Sequence, residues 1–178
     1  EVQFALCGTV FGKFGTGVNT LTKLGFSGIP CYNIEAACAT GSAGLKIAYQ
    51  AITSGFCDVV LVFGVDKHRG MFEETGEDWQ NRLGIENGPQ WFATQGQKYM
   101  HDYGATEEDF ALAAVKAHKY GRLNPNALFQ MEFTVEQVLS SPMVAYPLHL
   151  YNFCSPDDGA AAVAVCSRKV ASKYTSQP

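Results

Sequence analysis

Four short runs, Val2 to Leu6, Cys31 to Ile34, Val59 to Val65 and Ala160 to Val165, are almost unbroken by polar side chains. A strand with one wet face alternates apolar and polar residues, whereas a continuous apolar run belongs to a strand covered on both faces. Between the second and third runs lies Gly41 to Ser54, where Leu45, Ala48 and Ile52 share one stripe, Ile47 and Ala51 widen it, and Gly55 supplies a helix stop. Strand, helix and strand in this order predict a right-handed crossover unit. The helix carries few polar residues, chiefly Lys46 and Gln50, so it is expected to be buried round most of its circumference as the middle layer of a sandwich.

From Lys67 to about Gln90 the composition turns to Glu, Asp, Asn, Arg and Gly, and no apolar period survives. A helix over Pro89 to Tyr103 follows, with Phe92, Tyr99 and Tyr103 on one face and Gly104 closing it. Thr106 with Asp109 three residues on is a capping-box variant opening a second helix, Glu107 to about Tyr120, whose stripe of Phe110, Ala113, Ala114 and Ala117 suits close packing. Asn124 to Asn126 form a turn, Thr134 to Leu139 a short helix, and Pro142 and Pro147 bracket an extended segment leading through Asp157, Asp158 and Gly159 into the last strand. The stretch 67–140 is therefore an insertion that returns to the sheet. The chain begins directly on a strand, without arm or cap, which suggests a piece of something longer.

Thirteen Lys and Arg stand against seventeen Asp and Glu, which leaves no positive footprint for nucleic acid or an anionic membrane. The longest apolar run ends at Asp66, far short of the eighteen or more residues of a membrane span. The six cysteines, at 7, 31, 38, 57, 154 and 166, form neither a C-x-x-C pair nor a regular framework, which fits reduced thiols in a cytoplasmic setting, or a peroxisome in a eukaryote. The first residues lack the basic start and cleavage site of a signal peptide.

The informative stretch is Asn33 to Leu45, in which a strand runs directly into a helix with Cys38 at the junction and small residues around it. A thiol at a helix N-terminus meets unpaired backbone N–H groups and the positive end of the dipole, which favour the thiolate and its attack on an electrophile. A buried inert thiol is the ordinary fate of a free cysteine, and it is the reading for the other five. Ser42 lacks the preceding glycine of a G-x-S-x-G elbow and reads as packing. Gly12, Gly15 and Gly17 have the wrong spacing for a dinucleotide loop and read as a loop. His68, His101, His118 and His149 are too scattered for a zinc site and read as surface or satisfied core residues, with His149, beside the last strand, kept as a site candidate. Glu73, Glu74, Glu77 and Asp78 read as a solvated loop, and Asp158 as a group that orients the turn into the last strand.

Glu35-Ala36-Ala37-Cys38-Ala39-Thr40-Gly41-Ser42 resembles the nucleophile segment of the thiolases, and Cys154-Ser155-Pro156-Asp157-Asp158-Gly159-Ala160-Ala161-Ala162 is similar to the S-P-x-x-D-G-A-A segment that closes their N-terminal half. Lys98 to Gly104 and Asn124-Pro125 resemble the branch associated with sterol carrier protein and lipid-transfer relatives. The resemblance implies an α/β chain with the thiolase-like layered α-β-α-β-α fold, here most of one N-terminal half (1–178) carrying the loop-domain insertion 67–140. It implies that Cys38 takes an acyl group from a coenzyme A thioester, its own N–H helping to hold the oxyanion, for 3-ketoacyl-CoA thiolysis or Claisen condensation. Coenzyme A then enters as substrate, with no permanently bound cofactor and no metal. The insertion corresponds to the segment that covers coenzyme A and shapes the acyl pocket, without individual contacts assigned.

The same resemblance implies what the chain lacks. The Gly-His-Pro histidine and second cysteine of thiolases are absent, as are the first strand and helix of the N-terminal half. The expected partners are acyl-CoA or CoA and a homo- or hetero-oligomer in which another chain or segment supplies the C-terminal half. Two alternatives stay open: a thiolase-fold retro-aldolase subunit working with a zinc-ribbon and OB-fold partner, and a non-catalytic subunit that binds acyl-CoA or a partner. Ketoacyl synthases share the fold, but Ala37 to Gly41 is closer to thiolase than to their Cys-Ser-Ser type of segment.

Overall fold

The apolar runs become strands of one sheet. In the computed structural model, which describes residues 1–67, 82, 84, 85 and 88–177, the elements are β1 (Phe4–Gly8), α1 (Thr16–Lys23), β2 (Cys31–Ile34), a 3₁₀ turn (Ala37–Ala39), α2 (Thr40–Thr53), β3 (Val59–Asp66), α3 (Gly88–Tyr103), α4 (Glu107–Gly121), α5 (Val135–Ser140), β4 (Met143–Ala145), β5 (Leu148–His149), a second 3₁₀ turn (Leu150–Asn152), β6 (Gly159–Cys166) and α6 (Arg168–Ala171). The chain divides into two units, Glu1–Met71 with Asp157–Pro178, and Phe72–Pro156.

The first unit is built on a four-stranded sheet of order β2-β1-β3-β6. β1 pairs in parallel with β2 (Ala5 with Cys31) and with β3 (Ala5 with Leu61), and β6 closes the edge antiparallel to β3 (Val62 with Val163). β1 is buried throughout and sorts its residues by the two-residue period of a strand. Phe4 and Leu6 join Val60, Val62, Ala48 and Cys57 on the α2 face; Ala5 and Cys7 join Phe63 and Leu21 on the α1 face. Helices thus cover both faces of the inner strands. Leu6 and Val60 are fully buried, each contributing about 1.5–3 kcal/mol relative to exposure.

Three expectations change here. Gly17, read as loop, lies inside α1 and is buried, because a Cβ there would meet Asn33 Oδ1 at 2.5 Å, Cys7 Cβ at 2.7 Å and Cys31 Sγ at 2.9 Å. Only glycine lets the helix lie so close to the sheet. α2 is buried on one stripe and not round its circumference: Thr40, Gly44 and Ala48 face the sheet, while Leu45 and Tyr49 are 46% and 60% exposed. Gly44 sets that face, since a Cβ on it would stand 3.0 Å from both Ile34 Cδ1 and Val62 Cγ1. β6, the edge strand, is exposed from Gly159 to Ala164, and Val165 is the residue through which it packs against the α2-side cluster.

In the second unit the capping box opens α4 as its residues predict: Asp109 Oδ2 accepts from the Thr106 N–H at 2.8 Å and from its hydroxyl at 3.0 Å. Thr134 and Gln137 make the reciprocal pair that opens α5. The buried stripes differ from expectation. α3 buries Ala93 and Gly96, leaving Phe92, Tyr99 and Tyr103 exposed; α4 buries Ala111 and Ala114, leaving Ala113 and Ala117 exposed. The cause is the partner surface. α4 packs on Val138, Phe133 and Tyr151, and Gly96 lies against Pro147, so small residues are selected where backbones approach and the larger aromatics are turned outward.

Candidate functional site

Cys38 sits in the 3₁₀ turn that joins β2 to α2. The chain leaves β2 at Ile34, passes Ala36 at φ −153° and ψ 42°, and reverses at Ala37, the one non-glycine residue with positive φ (46°) among those described. Such a backbone is uncommon outside glycine and persists where its surroundings over-determine it. They do so through successive amides. Ala36 N–H donates to Thr40 Oγ1 (2.9 Å), Ala37 N–H to Glu35 Oε1, Ala39 N–H to the Ala36 carbonyl (2.9 Å) and Thr40 N–H to the Ala37 carbonyl. The Thr40 hydroxyl completes the clamp by donating to the Ala37 carbonyl at 2.6 Å. Between these donors the Cys38 N–H has no acceptor among the described residues.

The Cys38 side chain is exposed and its thiol is free. The first turn of the fourteen-residue α2 holds no acidic residue, so the positive end of its dipole faces the cysteine uncompensated from within the helix. An exposed sulfur, a free N–H on the same residue and a helix N-terminus behind them can hold an anionic tetrahedral centre at a carbonyl carbon.

Parallel pairing puts the carboxyl ends of β1, β2 and β3 at one edge of the sheet, where open α/β folds bind ligands. Two features of that edge were not legible in the sequence. Gly8, at the end of β1, leaves room for Thr40, whose Cγ2 would stand 2.8 Å from a Cβ on Gly8. Asp66, at the end of β3, ties down the chain leaving β1: its carboxylate accepts from the Thr9 hydroxyl (2.7 Å), Val10 N–H (3.1 Å) and Phe11 N–H (2.9 Å). Neither residue belongs to a local motif, and contacts between residues so distant in sequence carry no periodic signal.

Each of the remaining candidates among the described residues has its own surroundings. Ser42, expected to pack, is exposed and donates to the Ala39 carbonyl at 2.9 Å, because it falls on the outer side of the first α2 turn. His149 is buried between the Ser141 carbonyl (2.8 Å from Nδ1) and Glu107 Oε2 (3.2 Å from Nε2). The carbonyl hydrogen bond, opposed by burial and reinforced by the carboxylate, raises its pKa above the usual histidine value. It is a structural tie within the second unit. His118 packs on Phe133 with ring centroids 4.6 Å apart, and His101, exposed, lies 3.1 Å from Asp102. His68, Glu73, Glu74, Glu77 and Asp78 lie outside the described residues. Asp158 is exposed immediately before β6. Cys7 and Cys57 are buried, and burial pushes the Cys7 thiol up to about 11. Cys154, expected to be buried, is exposed because it precedes the edge strand. Among the described residues no group of three or more His, Cys, Asp or Glu side chains is placed to hold a metal ion, and no helix is long and apolar enough to cross a membrane.

Residues 19–75 match the family model of the β-ketoacyl synthase N-terminal domain. The chain is 38% identical over 162 residues to an acetyl-CoA acetyltransferase of Methanothermobacter thermautotrophicus, covering 86% of this chain and 42% of that protein. It is 34% identical over 180 residues to the benzoylsuccinyl-CoA thiolase subunit BbsB of Thauera aromatica, covering 97% and 46%. Among solved structures it is similar to the Ltp2-ChsH2(DUF35) aldolase, with a TM-score of 0.79 and 30% identity over 96% of this chain and 46% of that one. The chain therefore spans less than half the length of these relatives. The strand-turn-helix that presents Cys38, the mixed sheet clasped by α1 and α2, and these similarities together place the fold and the lineage: the chain belongs to the thiolase superfamily.

Proposed function

We propose that the chain supplies the nucleophile half of a thiolase-like acyl-CoA C-acyltransferase. The observation that carries this reading is the Cys38 turn: an exposed thiol at the head of α2 whose own N–H is the unoccupied donor. Cys38 Sγ attacks the thioester carbonyl, the carbonyl electrons move onto oxygen toward the Cys38 N–H, and collapse breaks the bond to coenzyme A sulfur. Coenzyme A leaves as thiol with the proton given up by Cys38, and the acyl group remains as a cysteine thioester. The histidine and second cysteine needed for the carbon–carbon step come from a further segment or partner chain. Coenzyme A is the carrier of the substrate and not a resident group. The insertion, expected over 67–140, is assigned the role of covering it.

The similarity to an aldolase built with a DUF35 protein favours one second reading, a retro-aldol subunit completed by such a partner. The two are separated by following coenzyme A release from acetyl-CoA, using the chain with any polypeptide that co-purifies with it. The acyltransferase reading expects stoichiometric release that Cys38→Ser abolishes and Cys154→Ser leaves intact. Equal release from wild type and Cys38→Ser, or none from either, moves the assignment to the aldolase.

A further inference from the structure

We infer that Thr40 is a positioning residue for Cys38 and that Gly8 is the space kept open for it. The consequence for acyl transfer rests on the reading of Cys38 as nucleophile; the positioning itself rests on geometry alone.

Thr40 is buried although it carries a hydroxyl. That hydroxyl has both of its roles filled within the turn, accepting from Ala36 N–H at 2.9 Å and donating to the Ala37 carbonyl at 2.6 Å. The two bonds bracket Ala37, the residue at φ 46°. They reinforce the bonds from Ala37 N–H to Glu35 Oε1 and from Thr40 N–H to the Ala37 carbonyl, and their loss favours relaxation of Ala37 to an ordinary conformation, which would swing the peptide joining it to Cys38 and carry the Cys38 N–H away from its present direction. The methyl group of the same side chain reaches the sheet, where Gly8 receives it: a Cβ on Gly8 would stand 2.8 Å from Thr40 Cγ2, with Phe63 and Thr40 carbonyl oxygens next at 3.8 Å. β-Branched side chains are stiff at χ1, so crowding the methyl turns the hydroxyl out of the clamp. Gly8 and Thr40 thus form one device. Gly8 leaves the methyl its room, and the hydroxyl so admitted to the clamp holds the strained turn beneath the cysteine.

The test is the rate at which iodoacetamide alkylates Cys38, read by peptide mapping. Cys154, also exposed, serves as the internal reference in the same sample. Thr40→Val keeps the shape and removes the hydroxyl, and is expected to lower the Cys38-to-Cys154 ratio on the order of tenfold, the effect of losing a hydrogen bond that aligns a reacting group. Thr40→Ser keeps the hydroxyl and is expected within about twofold of wild type. Gly8→Ala is expected to behave like Thr40→Val, and the double variant Gly8→Ala with Thr40→Ser to recover the wild-type ratio, because serine has no Cγ2 to collide. That recovery distinguishes positioning from loss of fold, and circular dichroism confirms folding of each variant. A Thr40→Val ratio equal to wild type, a Thr40→Ser ratio as low as Thr40→Val, or no recovery in the double variant overturns the inference. Because alkylation needs no coenzyme A, the expected pattern without any acyl transfer would defeat the proposed function and leave the positioning role standing.

Discussion

His149 presents Nε2 to Glu107 Oε2 at 3.2 Å while its Nδ1 faces the Ser141 carbonyl at 2.8 Å, so both ring nitrogens meet acceptors and the charged imidazolium satisfies both. The pair joins the first turn of α4 to β5. Its folded pKa is raised, first by the carbonyl, against burial, and then by Glu107. The stability it contributes is therefore full below the ordinary histidine value of 6.5 and is lost as pH rises through the raised folded value. Thermal melts of wild type minus His149→Gln should show a difference that shrinks with rising pH across that window. Glu107→Gln should keep part of the dependence, since the Ser141 carbonyl remains. A difference independent of pH would mean that the histidine titrates alike folded and unfolded, and one that grows with pH that the imidazole is held neutral in the fold.

Gly17 carries a second expectation. Alanine there would bring a methyl within 2.5 Å of Asn33 Oδ1 and 2.7 Å of Cys7 Cβ, and Asn33 Oδ1 is also the acceptor of the Gly17 N–H at 3.0 Å. Gly17→Ala should cost about 2 kcal/mol in urea denaturation, as overpacking between a helix and a sheet does. Gly41→Ala, where nothing lies within 4 Å, should be neutral or stabilising by about 0.5–1 kcal/mol.

Removing the carboxylate of Asp66 should loosen the chain after β1, because Thr9, Val10 and Phe11 all donate to it. Asp66→Ala is expected to cost about 2 kcal/mol and Asp66→Asn less, since an amide oxygen can still accept. Amide hydrogen exchange should accelerate at Val10 and Phe11 in both. Unchanged protection of these two amides would mean that the loop is held elsewhere.

The six thiols should separate by accessibility. Cys38 and Cys154 are exposed, whereas Cys7 and Cys57 are buried and the Cys7 thiol is pushed up to about 11. Titration of the native chain with an aromatic disulfide near neutral pH should label Cys38 and Cys154 first and Cys7 after denaturation. Early labelling of Cys7 would contradict the packing of α1 on the sheet.

The sheet could be read from the sequence because its inner strands are continuous apolar runs, and the Cys38 junction because a strand gives way to a helix there across only a short turn. α1 leaves no clear signal because Gly17 and three threonines dilute its apolar period to little more than Val18 and Leu21. The buried faces of α3 and α4 are not legible in the sequence for a related reason. Alanine and glycine fit either side of a helix, and the choice was made by Pro147, Phe133, Val138 and Tyr151, residues distant in sequence. Within the candidate site, the cysteine was legible and its support was not. The positive φ of Ala37, the double use of the Thr40 hydroxyl and the space at Gly8 arise from tertiary contact.

The most direct measurement is intact-mass spectrometry with peptide mapping after incubating the chain, together with any co-purifying polypeptide, with acetyl-CoA or acetoacetyl-CoA. One acetyl group on the peptide containing Cys38, absent from Cys38→Ser, is the predicted result. No adduct with the completing polypeptide present, or acetyl on Cys154 in place of Cys38, would contradict it.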